Sequence, residues 1–394
     1  MSNDSILVIN AGSSSIKFSL FGSDTLSLFY RGQIEQIHST PTISILDKDH
    51  HVINQKCKIL PGYESSIEAI LNWIIDEAKQ NLKAVGHRVV HGGQDYITPT
   101  EITHDLMVNL SKLIPLAPLH EPHNLKAINI VSKFYSDIPQ VACFDTAFHS
   151  SQLKLATLFA IPRRLSNEGI IRYGFHGLSY EYIASVLPQY LGKTAHEKVI
   201  VAHLGNGASM CGLYQQKSMA TSMGFTALDG LMMGKRCGNI DPGVILYLLR
   251  ERKYSLEEVT QLLYEQSGLL GVSEISNDVR QLEHSQAPHA KEALALFCFR
   301  AAQELCALAA TLKGCDAIVF TAGIGENSST VRKGICEWLD WLGVEIDDAA
   351  NQMGKSIISQ ENSKIRVCVI PTNEEYMIAR HTHSLLNEKN KTLD

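Results

Sequence analysis

Two stretches of this chain share one shape, and that repetition constrains the fold more than any other feature. Residues 8–18 read VINAGSSSIKF and residues 201–213 read VAHLGNGASMCGL. In the first, Val8 and Ile9 continue the apolar run of Ile6 and Leu7, which suits a buried strand. Asn10 to Ser13 then reads as a tight turn, because Gly and Asn tolerate the backbone angles of a reversal. Ile16, Phe18 and Leu20 alternate with Ser15, Lys17 and Ser19, the period of a second, half-buried strand. The second stretch repeats strand, glycine-containing turn and strand. Two such hairpins predict two copies of one core. The polar tip of the first is either an ordinary turn or an anion cradle; it is not a P-loop, which needs GxxxxGK[ST] at the start of a helix.

Strand-like runs alternate with helical ones along all 394 residues, the pattern of an α/β protein of two or three domains. KAVGHRVVHGG, VACFDTAFH, CDAIVFTAGIGEN and IRVCVIPTNEE are apolar runs that end in polar or glycine-rich residues. The carboxyl end of a buried strand is where open α/β sheets place ligands. Residues 65–78 carry apolar side chains at helical spacing, with Ser65 or Ser66 as the expected cap. Residues 291–312 read as a helix apolar on most sides, hence deeply buried. Domains are expected at 1–150 and 151–380, with the segment from about 380 packing back onto the first. The last residues, NEKNKTLD, read as a frayed tail.

The chain is 45% hydrophobic and 19% charged, with a net charge of −6. Bulk attraction to nucleic acid or an anionic membrane is therefore not expected. No secretory pattern is seen at Met1–Ser5, and Arg300, Gln303 and Glu304 interrupt the most apolar run. Nine scattered cysteines without a CxxC pair suit reduced thiols. A cytoplasmic protein is expected.

NAGSSSIK, HRVVHGG, FDTAFH, YGFHGLS, HLGNGAS, TSMGFTALDGLMMGKRCG, SNDVR, TAGIGEN and PTNEE occur here in the order seen in the acetate kinase family. The resemblance runs from residue 6 to about residue 380. It implies membership of the superfamily of acetate and sugar kinases, heat-shock chaperones and actin. That means duplicated ribonuclease-H-like cores, with ATP and substrate in the cleft between the domains. The implied reaction is reversible, Mg2+-dependent phosphoryl transfer from ATP to acetate, giving acetyl phosphate and ADP; Mn2+ is an expected substitute and a homodimer the expected assembly.

The residue chemistry is consistent with this. Phosphoryl transfer asks the protein for charge neutralisation and alignment, and an arginine offers a planar, permanently charged fork. The resemblance makes Arg88 the holder of the acyl substrate and Arg236 the stabiliser of transition-state charge. Asp145 is an acid set into an apolar strand and needs a partner there. The family makes it the acid that orients the acceptor, directly or through the magnesium shell. Acetate is already ionised near neutral pH, so no general base is required. His176 is the implied donor to the phosphoryl in flight. Asn10 and Glu374 are the implied magnesium ligands, with Glu375 the neighbouring competitor. Ser13, Ser15 and Lys17 would cradle phosphate, as would His203, Leu204, Gly205, Asn206 and Gly207. Asp278, Val279 and Arg280 would bracket the adenosine, and Gly323, Ile324, Gly325, Glu326 and Asn327 would lie against it.

Val90, Leu119, Phe175 and Ala227 fall where the family walls its acyl pocket. Ala227 stands where proline is common, and a smaller wall suits propionate as well. Glu121 stands where asparagine is usual. A propionate or butyrate kinase of the same fold is the nearest alternative. A non-catalytic ATP-driven module is the other, against which Arg88, Asp145, His176 and Arg236 stand together.

Overall fold

The computed structural model describes residues 3–49, 51–53 and 59–393, with side chains described to residue 388. Met1, Ser2 and Cys57, and the side chains at the end of the expected tail, lie outside the described residues. The chain divides into two compact units, one of Met1–Ala147 with Asn373–Asp394, the other of Phe148–Thr372. The return to the first unit thus begins at Asn373, ahead of the expected residue 380.

In the first unit the strands are β1 (Asp4–Ala11), β2 (Ser15–Gly22), β3 (Leu28–Glu35), β4 (Thr42–Asp47), β5 (Val52–Ile53), β6 (Asn81–Val89), β7 (Thr100–Glu101) and β8 (Gln140–Phe144). They form one sheet in the order β5-β4-β3-β2-β1-β6-β8-β7. Asn10 pairs with Lys17 across the first hairpin, and β1, β6 and β8 run parallel. Alternation puts Leu7, Ile9, Ile16 and Phe18 into a core with Ile67, Ile70 and Trp73 of the helix Tyr63–Asp76 and with Val131 of the helix Glu121–Phe134. That burial drives the layering.

The second unit holds β9 (Val199–Leu204), β10 (Ala208–Tyr214), β11 (Lys217–Thr221), β12 (Ala317–Thr321) and β13 (Arg366–Val369), in the order β11-β10-β9-β12-β13. Antiparallel β11-β10-β9 followed by parallel β9-β12-β13 repeats the sequence β3-β2-β1-β6-β8 of the first sheet. The ribonuclease-H-like core is therefore present twice. Its second core packs Val199, Val201, Cys211, Val319 and Cys368 against Tyr180, Ile183 and Leu187 of the helix Gly177–Leu191.

Four local expectations change. The first turn occupies Gly12–Ser14, since Asn10 and Ala11 still belong to β1; the Gly12 amide donates to Ser15 O at 2.9 Å. The helix expected over 65–78 starts at Tyr63 with Gly62 at its N-cap, while the Ser66 hydroxyl donates back to Gly62 O. The helix Pro288–Leu312 is long and apolar enough to cross a membrane, yet it is not deeply buried on all sides. One face, including Ala290, Phe297, Ala301 and Leu305, is buried, and the helix packs on β10 and β11. The expected tail continues the helix Glu374–Leu393. That helix lies so close to β6 that a Cβ at Gly86 would meet Thr382 Oγ1 and the Ile378 side chain, so only glycine fits there.

Candidate functional site

In the first unit, parallel pairing of β6 and β8 brings Arg88 and Asp145 to the same end of the sheet. Arg88 Nε donates to Asp145 Oδ1 at 3.0 Å and Nη2 to Oδ2 at 2.5 Å. Its Nη1 donates to Asn10 Oδ1 at 3.3 Å, and Glu374 Oε2 lies 4.0 Å from Nε. Asp145 is 1% exposed and Arg88 only 19%, so the bidentate pair is shielded from water. Asn10 comes from the end of β1 and Glu374 opens the last helix, a position whose dipole favours an anion. Burial nevertheless pushes Glu374 up to about 7; the Arg88 charge pulls it down, while Asp145 and Glu375 add to the rise and Lys17 opposes it. Lys17, exposed on β2, thus acts on this cluster; Ser13 is exposed and Ser15 half-buried at the hairpin tip. Val90 is buried, with its amide donating to Asn124 Oδ1 at 3.1 Å, and Leu119 is 37% exposed.

In the second unit, three loops meet. A Cβ built on Gly207 would lie 3.3 Å from His176 Nε2 and 3.9 Å from Arg236 Nη1, so both side chains converge on the β9–β10 turn. Gly205 N donates to Gly207 O at 3.0 Å to shape that turn, and Gly234 N donates to Asn206 O at 3.0 Å. Asn277 Nδ2 donates to Asn206 Oδ1 at 3.0 Å, tying in the loop before Asp278. His176 sits at the N-cap of the helix Gly177–Leu191 with a left-handed φ of 57°. His203, at the end of β9, stacks on it at 4.1 Å between ring centroids, followed by Leu204, fully buried. Arg236 Nη1 donates to Ala227 O at 2.9 Å, so the carbonyl of an expected acyl-wall residue aims the arginine. Phe175 is buried, its carbonyl facing His149 Nε2 at 2.9 Å.

The nucleotide candidates divide. Asp278 caps the helix Val279–His284, and the Arg280 fork closes on its carboxylate, so these two side chains pair with each other. Val279 is buried, at the first position of that helix. Residues 322–327 are a short helix rather than a loop. Gly323 and Asn327 are exposed and Ile324 half-exposed, but Gly325 is buried. Glu326 Oε1 accepts from the amides of Ala322 at 2.8 Å and Thr372 at 3.1 Å, which makes that carboxylate a brace. The buried Arg332 donates to the carbonyls of Gly325 and Glu326 at 3.0 and 2.9 Å.

Four residues that support this geometry escaped the sequence reading. Ser209 Oγ contacts His176 Nδ1 at 2.8 Å and Tyr180 Oη at 2.5 Å. Ser179 Oγ contacts His203 Nδ1 and Thr372 Oγ1, each at 2.8 Å. His149 and Arg332 are the others. A polar residue closing the run VACFDTAFH was the available signal for His149; the serines carry none, since they read as ordinary strand and helix positions.

The acetokinase family model matches residues 5–380. An acetate kinase of Rhodopseudomonas palustris is 48% identical, covering 97% of this chain and 98% of its own length. One from Rickettsia felis is 42% identical over 97% of this chain and all of its own. Among solved structures, a propionate kinase from Francisella tularensis superposes with a TM-score of 0.91 at 37% identity, covering 98% of this chain and 100% of its own. The acetate kinase of Porphyromonas gingivalis gives 0.88 at 34%, covering 97% and 100%.

Proposed function

The chain belongs to the acetokinase family, and from that premise we propose that it reversibly transfers the γ-phosphoryl group of ATP to acetate, giving acetyl phosphate and ADP. The observation that carries the reading is the convergence of His176 Nε2 and Arg236 Nη1 on Gly207. Phosphoryl transfer depends on such positioned donors, because the protein contributes charge stabilisation rather than bonds.

In the reaction, a carboxylate oxygen of acetate forms a bond to the γ-phosphorus as the bond to the ADP oxygen breaks. The acid is already ionised at neutral pH, so no protein group removes a proton. Arg236, aimed by Ala227 O, supplies a fixed positive charge to the phosphoryl oxygens. His176 donates a hydrogen bond from Nε2 when Tyr180 donates to Ser209 and Ser209 to Nδ1. Arg88 draws the acid; Asp145 occupies its Nε and Nη2, so the Nη1 edge beside Asn10 is the one turned to the substrate. Asp145 orients that arginine. Within the second unit the β9–β10 turn receives phosphates, and Gly323, Ile324 and Asn327 offer surface to the adenosine; within the first unit Ser13, Ser15 and Lys17 offer phosphate donors at the hairpin tip.

The family chemistry implies Mg2+, with Mn2+ as a substitute, and the residues present fit it. Asn10 Oδ1 and the Glu374 carboxylate both lie against one guanidinium, giving two hard oxygen donors in one place. Such an ion completes its shell with water and phosphate oxygens and would neutralise phosphate charge when bound. A homodimer is part of the proposal. The helix Pro242–Arg250 has no buried residue and exposes Val244, Leu246 and Tyr247, with Ile240, Tyr254 and Leu256 exposed nearby. Seven of the described cysteines, Cys211, Cys237, Cys298, Cys306, Cys315, Cys336 and Cys368, are free thiols, in keeping with a cytoplasmic location.

Acetate-dependent ADP release from ATP tests the activity; ATP turnover that ignores added acid would defeat it. Propionate is the second reading, favoured by the likeness to the Francisella propionate kinase and by the small side chain of Ala227.

A further inference from the structure

Four consecutive amides follow β6, and each is taken by a side chain. Val90 N donates to Asn124 Oδ1 at 3.1 Å, His91 N to Glu121 Oε2 at 3.2 Å, Gly92 N to Thr146 Oγ1 at 3.0 Å and Gly93 N to His91 Nδ1 at 2.9 Å. The loop just past Arg88 therefore has no ladder of its own and takes its shape from these acceptors. Asn124 also donates to Ala11 O at 2.9 Å, which fixes it to β1. Glu121 differs from its companions. It is fully buried at the first position of its helix, and its second oxygen, Oε1, has no hydrogen-bond partner. A buried carboxylate left half-unpaired is costly, whereas a neutral carboxyl keeps the His91 contact without a net charge.

We propose that Glu121 is a positioning residue for the acid substrate: uncharged, it holds the Val90–Gly93 loop beside Arg88, and its ionisation weakens binding of the substrate carboxylate. The proposal rests on the reading of Val90 as part of the acyl wall.

Burial pushes Glu121 up to about 8; the His91 amide pulls the other way and the Asp145 charge adds to the rise. The group is therefore neutral at pH 7, although a helix N-terminus by itself would favour the anion. Its charged neighbours are Asp145 past the end of β8 and, paired with it, Arg88. His91 is held near 4 by burial and stays neutral through the range concerned. The helices packed on that of Glu121 turn Glu64, Glu68, His104 and Asp105 to exposed positions, where water screens them. Above about pH 8 a new negative charge thus appears next to Asp145, where an anionic substrate is drawn in.

The test compares wild type with Glu121→Gln from pH 6.5 to 9.5, measuring KM for acetate, KM for ATP and kcat. The wild-type KM for acetate is expected to climb at least about fivefold through this range, with KM for ATP flat; Glu374, pushed up to about 7 beside Arg88, ionises in both proteins, so the part of the climb centred near pH 8 is the part expected to vanish in the variant. Infrared difference spectra between the two proteins supply a reading independent of turnover, a protonated-carboxyl band that fades with a midpoint near 8. A flat wild-type profile overturns the proposal whatever the variant does, and so do parallel profiles or a missing band. Absence of acid-dependent ADP release at every pH would instead overturn the activity, with the band still deciding the state of Glu121.

Discussion

Asp145 closes both of its oxygens on the Nε and Nη2 of Arg88, at 3.0 and 2.5 Å. A pair this shielded makes each partner depend on the other. Removing the acid leaves Arg88, 19% exposed, with Glu374 at 4.0 Å as its remaining close carboxylate, and since breaking a fully buried pair costs about 3–5 kcal/mol, a loss of up to about 3 kcal/mol is expected here. Asp145→Ala is therefore expected to shift denaturant unfolding by that order, and the double variant with Arg88→Ala to recover part of the loss. Additive losses in the double-mutant cycle would contradict the coupling.

Arg236 is the cleaner catalytic test, because its anchor at the Ala227 carbonyl asks for one guanidinium nitrogen while the charge serves elsewhere. Lysine keeps the charge and loses the fork. Arg236→Lys should lower kcat by on the order of 100-fold with thermal unfolding unchanged. Turnover near that of wild type in a folded variant would remove Arg236 from the mechanism.

Gly207 allows a test of convergence without touching either side chain. A methyl there would lie 3.3 Å from His176 Nε2, tighter than an ordinary contact, so the imidazole must shift. The shift needed is a few tenths of an ångström, a fraction of the 1 Å misplacement that can cost about 100-fold in rate. Gly207→Ala should thus lower kcat by about tenfold while the circular dichroism spectrum stays that of wild type. An unaffected kcat would mean that His176 does not work at this turn.

Glu121 also leaves a trace in stability. Its folded pKa of about 8 lies above the ordinary 4.5, so the folded state holds a proton that the unfolded chain releases. The resulting penalty is absent below about pH 4.5, grows through neutrality and is complete above about pH 8. Glu121→Gln should accordingly raise stability at pH 7 by on the order of 3 kcal/mol, with the gain shrinking toward pH 4.5. A gain that does not change with pH would contradict a neutral Glu121.

Much of the fold was legible because alternation and burial agree. Ile16, Phe18 and Leu20 point inward from β2 as their period requires, and the paired hairpins announced a core used twice. What escaped depends on contacts distant in the chain. Residues 322–327 look like a glycine loop, yet they form a helix braced by Glu326 on the amide of Thr372 and by Arg332 on two carbonyls. No local pattern encodes those partners. Likewise Ser65 and Ser66 carry the chemistry of a cap, but the chain turns into the helix earlier, at Gly62 with φ of 131°. At the site, the motifs located Arg88, Asp145, Asn10 and Glu374, which the first unit brings together, and His176, Arg236 and Gly207, which the second does. The serines that orient the histidines lie on a strand and a helix, where hydroxyls are commonplace.

The acid itself remains the most direct question. A pocket tells one methylene from the next by only about 1–3 kcal/mol, so kcat/KM for acetate, propionate and butyrate must be compared in one preparation. The measurement is ADP release with each acid, alongside trapping of the acyl phosphate as its hydroxamate. The account predicts one acyl phosphate per ADP, with acetate favoured, propionate within about 100-fold and butyrate poorest. ADP release without any acyl phosphate, or with no dependence on the acid, would contradict it.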